Sequence, residues 1–207
     1  LAIDFSILGD KENCCGNEIY SLGEKGLFEE LVDKNLGLFD RFGVNKIVTA
    51  SPHCYNALKN RYGKKDLGVQ HYTQYFANLI DEGKVKFSGK IEKVVTYHDP
   101  CFLGRHNNIY DEPRKIIESI PSVRFVELSR SRKRSVCCEG GGGRMWHDIP
   151  GERLAENRVR EALDVGAEVI AVACPFCLLT FDDAIKTTGN EEKIQVKDIM
   201  ELVAEAL

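Results

Sequence analysis

The 207-residue sequence lacks any apolar run approaching the ~18–20 residues that a membrane-spanning helix requires. Positive charge is not in excess either: 28 Lys and Arg stand against 32 Asp and Glu, for a formal net charge of −4. That balance argues against a nucleic-acid binder working by bulk charge. With 43% hydrophobic and 29% charged residues, the composition excludes a disordered or collagen-like chain. No Gly-Lys-Ser/Thr or Gly-x-Gly-x-x-Gly follows a strand-like segment, so the run Gly140–Gly143 is a weak phosphate cradle at best. No secretory leader is visible, and the chain opens Leu1-Ala2-Ile3-Asp4, as expected for a piece of a longer polypeptide.

Cysteine is what the sequence has in abundance. Eight occur: two adjacent pairs (Cys14-Cys15, Cys137-Cys138), one Cys-x-x-Cys (Cys174, Cys177) and two singles (Cys54, Cys101). A disulfide framework belongs mainly to small secreted domains that lack a core. Adjacent cysteines are also poorly placed to pair with each other, given the fixed dihedral about an S–S bond. Clustered cysteines in a chain of this size point first to a metal protein in a reducing compartment, and so to a cytoplasmic location.

The sequence repeats itself. A shift of 123 residues, without a gap, places Cys14 and Cys15 on Cys137 and Cys138. The same shift places Glu29 on Glu152, Gly43 on Gly166, Ala50 on Ala173, Pro52 on Pro175 and Cys54 on Cys177. Cysteine, glycine and proline in register over forty residues indicate duplication. Two differences stand out. Ser51 occupies the place of Cys174, and the counterpart of Cys101 would precede Leu1.

Periodicity predicts strands over Leu1–Phe5, Lys46–Ala50, Val69–His71, Lys93–His98, Arg124–Leu128, Glu168–Ala173 and Ile194–Val196. Helices are expected over Gly26–Phe42, Tyr55–Tyr62, Thr73–Glu82, Asp111–Ser119, Gly151–Val165, Phe176–Lys186 and Asp198–Ala206. Strands alternating with helices of this length imply βαβ units and a parallel sheet, hence an α/β fold. Asp81–Gly89 is the natural linker, dividing the chain at 1–88 and 89–207.

In open parallel sheets ligands gather beyond the carboxyl ends of the strands. Cys101 follows one predicted strand, Cys137-Cys138 another, and Cys174 a third, so right-handed crossovers bring five sulfurs to one edge. Cys174 and Cys177 straddle a helix start, where the helix dipole favours thiolates. The glycines after Cys138 let backbone N–H groups turn inward. Five thiols exceed the four of a tetrahedral zinc site and match an iron–sulfur cluster better.

The pattern Cys101-x35-Cys137-Cys138-x35-Cys174-x2-Cys177 resembles the signature of the CCG, or cysteine-rich, domain. That domain occurs in heterodisulfide reductase catalytic subunits and in iron–sulfur subunits of glycolate oxidase and related complexes. The resemblance covers essentially the whole chain. It implies two pseudo-repeated parallel-sheet CCG domains with helices on their faces, the first (1–88) truncated at its N-terminus and the second (89–207) complete. It further implies that Cys101, Cys137, Cys138, Cys174 and Cys177 hold a non-cubane [4Fe–4S] cluster. Cys14, Cys15 and Cys54 form an incomplete second site, for a [4Fe–4S] cluster or zinc, or a vestige of one. Two positions depart from the pattern: Glu139 replaces the motif's glycine, which Gly16 keeps, and Ser51 removes a ligand.

The function so implied is an iron–sulfur electron-transfer module of a heterodisulfide-reductase-like oxidoreductase, relaying electrons to a disulfide, a quinone or a partner subunit. Expected partners are other redox subunits, an upstream ferredoxin-like domain, or a membrane quinone-reducing subunit through which the chain associates with the membrane; nucleic acid is not among them. Two alternatives stay open: a zinc-stapled α/β interaction domain, and a metal-free dithiol–disulfide oxidoreductase using Cys174 and Cys177. His98 and His147 flank cysteine segments, as polar loop residues or as groups bonding to ligands. His53 sits in the incomplete site, as a loop residue or a substitute ligand. Arg130, Arg132, Lys133 and Arg134 form a basic run, solvated or docking an acidic partner. Met145 and Trp146 are expected in the core, or at a substrate entrance.

Overall fold

The computed structural model describes residues 3–63, 67–147 and 150–207. The first half runs α1 (Asn17–Ser21), α2 (Lys25–Arg41), β1 (Ile47–Thr49), α3 (Pro52–Asn60), β2 (Val69–His71) and α4 (Tyr72–Asp81). The second half runs β3 (Val94–Tyr97), α5 (Gly104–Asn107), α6 (Asp111–Ser119), β4 (Arg124–Val126) and α7 (Leu154–Asp164). It finishes with β5 (Val169–Val172), α8 (Pro175–Thr187), β6 (Gln195–Asp198) and α9 (Ile199–Ala206).

The strands form two parallel sheets, β1-β2 and β4-β3-β5-β6. All four residues of β5 are buried, as a central parallel strand covered on both faces requires. Chain order reverses between β3 and β5: β4 lies on one side of β3, and the chain then crosses to build β5 and β6 on the other. Such a switch point opens a crevice at the carboxyl ends of the two strands.

The duplication is visible in the junctions. His71 caps α4 by accepting the Thr73 N–H, and Gln74 accepts the His71 N–H in return. Asp198 and Glu201 close the same reciprocal box at the start of α9. The junctions also meet: the Tyr72 hydroxyl lies 3.0 Å from both carboxylate oxygens of Asp198.

The two halves share a core. Phe76, Ala77 and Leu79 of α4 pack in one buried cluster with Val95 and Tyr97 of β3, Ile116 and Ile117 of α6, and Leu202 and Val203 of α9. The connection after α4 carries no helix or strand up to residue 93, yet the N–H groups of Ser88 and Gly89 donate to the Ala206 carbonyl.

Three expectations need correction. Ile3–Phe5 is not a strand; Ile3 instead lays its side chain on the shared core while Phe5 is 77% exposed, and Leu1 and Ala2 lie outside the described residues. The helix expected from Tyr55 begins at Pro52, because Ser51 accepts the His53 N–H and proline fits the first turn. The segment after the glycine run enters α7 at Leu154 rather than Gly151.

Candidate functional site

Three adjacent strands bring the second half's cysteines together. Cys101 follows β3, Cys137 and Cys138 follow β4 through a 3₁₀ turn at Arg132–Arg134, and Cys174 follows β5. All lie at the carboxyl edge of the sheet, around the β3/β5 switch point. Asp99 fastens this edge. Its carboxylate forms a bidentate pair with the buried Arg114 at 2.7 and 2.9 Å and accepts the Arg132 N–H, while Ser135 donates to its carbonyl.

Cys138 Sγ lies 3.1 Å from Cys177 Sγ, and neighbouring cysteines perturb the thiols of Cys101, Cys137 and Cys174. Cys138, Cys174 and Cys177 are buried, whereas Cys101 and Cys137 are half-buried. The Cys174–Cys177 pair is therefore not an isolated dithiol. Hydrogen bonds from Cys101 and Cys138 push Cys137 toward the thiolate, and a hydrogen bond from Cys177 does the same to Cys174 despite its burial. Cys174 caps α8 and Cys177 lies in its first turn, so the positive end of the helix adds to this preference.

Backbone donors follow the same plan. The Glu139 N–H donates to Cys137 Sγ at 3.3 Å. Glu139 adopts φ +70°, the left-handed conformation of its counterpart Gly16 at φ +78°. Its carboxylate is held by Arg144 at 2.9 Å.

His98 is buried at the end of β3, not in a polar loop, and one ring nitrogen lies within 4.8 Å of the sulfurs of Cys138 and Cys177. Its Nδ1 has no hydrogen-bond partner. Burial, with the nearby Arg158 cation, lowers its pKa to about 3, so the ring is neutral. Arg158 is itself buried, and its Nε and one terminal nitrogen are also unpartnered. The unpartnered ring nitrogen of His98, on a ring close to Cys138 and Cys177, is available to a bound group.

The most consequential contact was not legible in the spacing. His53, from the first half, is 4% exposed and reaches the second half's site. Its ring lies between Phe102 and Phe176, with centroids 4.5 Å from each. Its Nδ1 bonds to Glu18, whose other carboxylate oxygen accepts the Gly142 N–H at 2.5 Å. Burial alone would depress His53, but hydrogen bonds with Cys174 and Glu18 outweigh it and raise its pKa to about 9. His53 is thus a buried helix residue rather than a polar loop one.

The first half's cysteines converge less. Cys15 and Cys54 line a cavity of about 600 Å³ with Asn35, Ser51 and Tyr62. Cys14 is exposed, and its Sγ accepts the Gly16 N–H at 3.4 Å.

Other candidates resolve simply. Arg130, Arg132, Lys133 and Arg134 are exposed, and Arg130 and Arg132 pair with Glu161 and Asp111. His147 is exposed, and Trp146 is 78% exposed rather than in the core, because the glycine run turns this segment out over the surface. Met145 lines a cleft of about 450 Å³ with Glu139, Arg144, Thr180 and Asp183. Among the described residues no helix is long and apolar enough to cross a membrane.

Comparison with known proteins agrees with this geometry. The CCG cysteine-rich domain matches residues 1–59 and 95–182, spanning both halves. The chain belongs to the CCG cysteine-rich domain family. It is 40% identical over 210 residues to the probable iron-sulfur-binding oxidoreductase FadF of Bacillus subtilis, covering 99% of this chain and 30% of that protein. It is 38% identical over 215 residues to the EtfAB:quinone oxidoreductase of Syntrophomonas wolfei, at 99% and 30% coverage. It is 37% identical over 217 residues to a subunit of the dihydromethanophenazine:CoB–CoM heterodisulfide reductase of Methanosarcina barkeri, at 100% and 52% coverage. The chain thus spans between 30% and 52% of the length of these relatives.

Proposed function

We propose that this chain is an iron–sulfur electron-transfer module of a larger oxidoreductase, with Cys101, Cys137, Cys138, Cys174 and Cys177 holding one [4Fe–4S] cluster of the non-cubane type. The observation that carries the proposal is the placement of five cysteines after the carboxyl ends of three adjacent strands, three of them buried and two of these in contact at 3.1 Å. The donor set fits such a group: all sulfur, more numerous than zinc requires, with a backbone N–H donating to Cys137 and the unpartnered His98 ring close by. Relatives named as iron–sulfur-binding or quinone oxidoreductases support the same assignment.

When bound, such a cluster takes up and releases single electrons. The chain's residues supply the surroundings. The start of α8 stabilises the thiolates of Cys174 and Cys177, and the N–H group of Glu139 orients Cys137. The shared core excludes water from one side. The half-buried Cys101 and Cys137 leave the other open, and there a redox partner, a disulfide or a quinone approaches. We place the boundary between the two CCG units at 88/89 and expect redox subunits as partners.

A second reading rests on one observation: a His98 ring nitrogen and the sulfurs of Cys138 and Cys177 lie within 4.8 Å of one another, a set suited to zinc. Redox titration of anaerobically isolated protein, followed by visible absorbance, tests the proposal. Reversible bleaching on reduction, with recovery on adding a disulfide or quinone, is expected. A colourless protein that holds zinc contradicts it.

A further inference from the structure

The open side of the five-cysteine site runs against the charge of the chain. The net charge is −4, yet Arg130, Arg132, Lys133 and Arg134 stand within five residues and lead directly to Cys137. Arg132–Arg134 form one 3₁₀ turn, and α5, which starts at Gly104 just after Cys101, packs against it. The Cys101 carbonyl accepts the His106 N–H at 3.1 Å, so α5 is tied to that cysteine. One basic segment thus adjoins the half-buried Cys101 and the other the half-buried Cys137.

The turn is firmly built. Arg132 holds the left-handed φ of +56°, which a side chain disfavours, and its N–H is bonded to the Asp99 carboxylate at 2.7 Å. Ser135 Oγ donates to the Asp99 carbonyl at 3.2 Å, and Arg105 Nη2 donates to the Ser135 carbonyl at 2.5 Å. These bonds fix the backbone and leave the cationic heads largely unspent. Arg105, Lys133 and Arg134 are exposed, and none meets a carboxylate among the described residues. Arg105 has the Ser135 carbonyl and Arg134 has the Ser129 carbonyl at 3.3 Å. Arg132 alone of this turn meets a carboxylate, that of Asp111.

An aromatic step belongs to the same surface. Phe102, next to Cys101, is half-buried and stacks on the exposed His106, with centroids 4.7 Å apart and planes 22° from parallel. An aromatic centre with a charged rim is the anatomy of a protein–protein contact. The charge here is of one sign and opposite to that of the chain as a whole.

We propose that α5 and the Arg132–Arg134 turn form the docking surface for an acidic electron-carrier protein, whose carboxylates meet Arg105, Lys133 and Arg134 and whose redox centre then faces Cys101 and Cys137. The use of this surface in electron transfer rests on the assignment of the five cysteines as an iron–sulfur site. Local positive charge draws an acidic carrier to the correct edge of a chain whose net charge would otherwise repel it. Contacts of this class bury little area, so a few unpaired cations decide where the carrier settles.

The test uses the whole chain with a plant-type [2Fe–2S] ferredoxin, a small acidic carrier, as probe. Titration calorimetry at ~20 mM and ~200 mM ionic strength should show binding that weakens about tenfold at the higher salt. Carbodiimide coupling, which joins ammonium groups to carboxylates in contact, should cross-link Lys133 to the probe. Lys133→Glu combined with Arg134→Glu should weaken binding about tenfold and abolish that cross-link. Arg105→Gln, which keeps a donor for the Ser135 carbonyl, should weaken binding to a smaller extent. Lys90→Glu combined with Lys193→Glu makes the same change in net charge before β3 and β6, at the opposite edge of the sheet, and should leave binding near that of the parent. An equal loss in both double variants means that bulk charge alone is felt, and overturns the inference. No binding at low salt, or cross-links confined to other lysines, overturns it too. Binding of oxidised glutathione through Lys133 and Arg134, without binding of the ferredoxin, makes the surface an anchor for an anionic disulfide and likewise overturns it. None of these readouts needs iron, so chain that binds the ferredoxin but holds no iron contradicts the cluster assignment and leaves the docking surface standing.

Discussion

His53 and Phe176, residues that the internal repeat makes equivalent, meet across the junction of the two halves with ring centroids 4.5 Å apart and planes tilted by 32°. Each stands in the first turn of a helix that follows a parallel strand and begins with proline. Duplication supplied two copies of one strand–helix corner, and the corners now face each other with different side chains. The five-cysteine site lies on one side of this contact and the carboxylate of Glu18 on the other.

Gly141 and His53 should be energetically coupled. In Gly141→Ala the new Cβ would sit 2.9 Å from His53 Cε1, an overlap that costs about 1–3 kcal/mol. Combined with His53→Ala, which clears the space, the cost should largely vanish. Urea unfolding of the two single variants and the double variant measures the coupling. Additive effects would show that the ring does not limit this position.

The two motif positions should respond differently to side chains. At Gly16 a Cβ would come within 2.7 Å of Phe28 Cδ2 on a backbone at φ +78°, so Gly16→Ala should destabilise by about 2 kcal/mol. Glu139 already bears a side chain in the left-handed region, so Glu139→Gly relieves strain of about 1 kcal/mol while losing the partly exposed pair with Arg144. Its thermal midpoint should stay near that of the parent protein. A large drop would assign the carboxylate a larger structural role.

Asp99 and Arg114 form a buried pair, their side chains 2% and 5% exposed. Asp99→Asn leaves a guanidinium short of charge compensation and weakens the acceptor for the Arg132 N–H. A loss of about 3 kcal/mol in unfolding free energy is expected. A loss below about 1 kcal/mol would mean that Glu127, the other partner of Arg114, suffices.

Acid should destabilise the fold through His71. Burial lowers its pKa to about 3, against about 6.5 when unfolded. The unfolded chain therefore binds the proton more readily, so this contribution is complete above pH ~6.5 and is lost as pH falls toward 3. Each pH unit in that window costs about 1.4 kcal/mol for this residue alone, and His98, also lowered to about 3, acts with the same sign. His71→Asn keeps an N-cap acceptor for Thr73 and should flatten the pH dependence between 6.5 and 5. An unchanged slope would show that His71 does not take part.

The sequence carried most of the fold because its signals are local or strictly periodic. Val69–His71 and Asp111–Ser119 occupy the predicted positions, and the apolar run around Val169–Val172 is the fully buried central strand. The convergence of five cysteines follows from parallel strands and right-handed crossovers, which send successive strand ends to one edge. His53 was hidden for the opposite reason. Its partners Glu18, Phe102 and Phe176 are spread over the chain, and their meeting depends on how the halves dock. One signal did exist: a glycine at 141 faces, through the repeat, a charged residue at 18 and a ring at 53. Trp146 misled because a lone tryptophan ordinarily packs inside, whereas here consecutive glycines carry it outward.

Iron, acid-labile sulfide and zinc content of the anaerobically purified chain, with its visible spectrum, tests the central claim most directly. About four irons and four sulfides per chain in a brown protein, lost on Cys138→Ala but kept on Cys54→Ala, is the predicted result. About one zinc per chain without colour, or iron that survives Cys138→Ala, would contradict it.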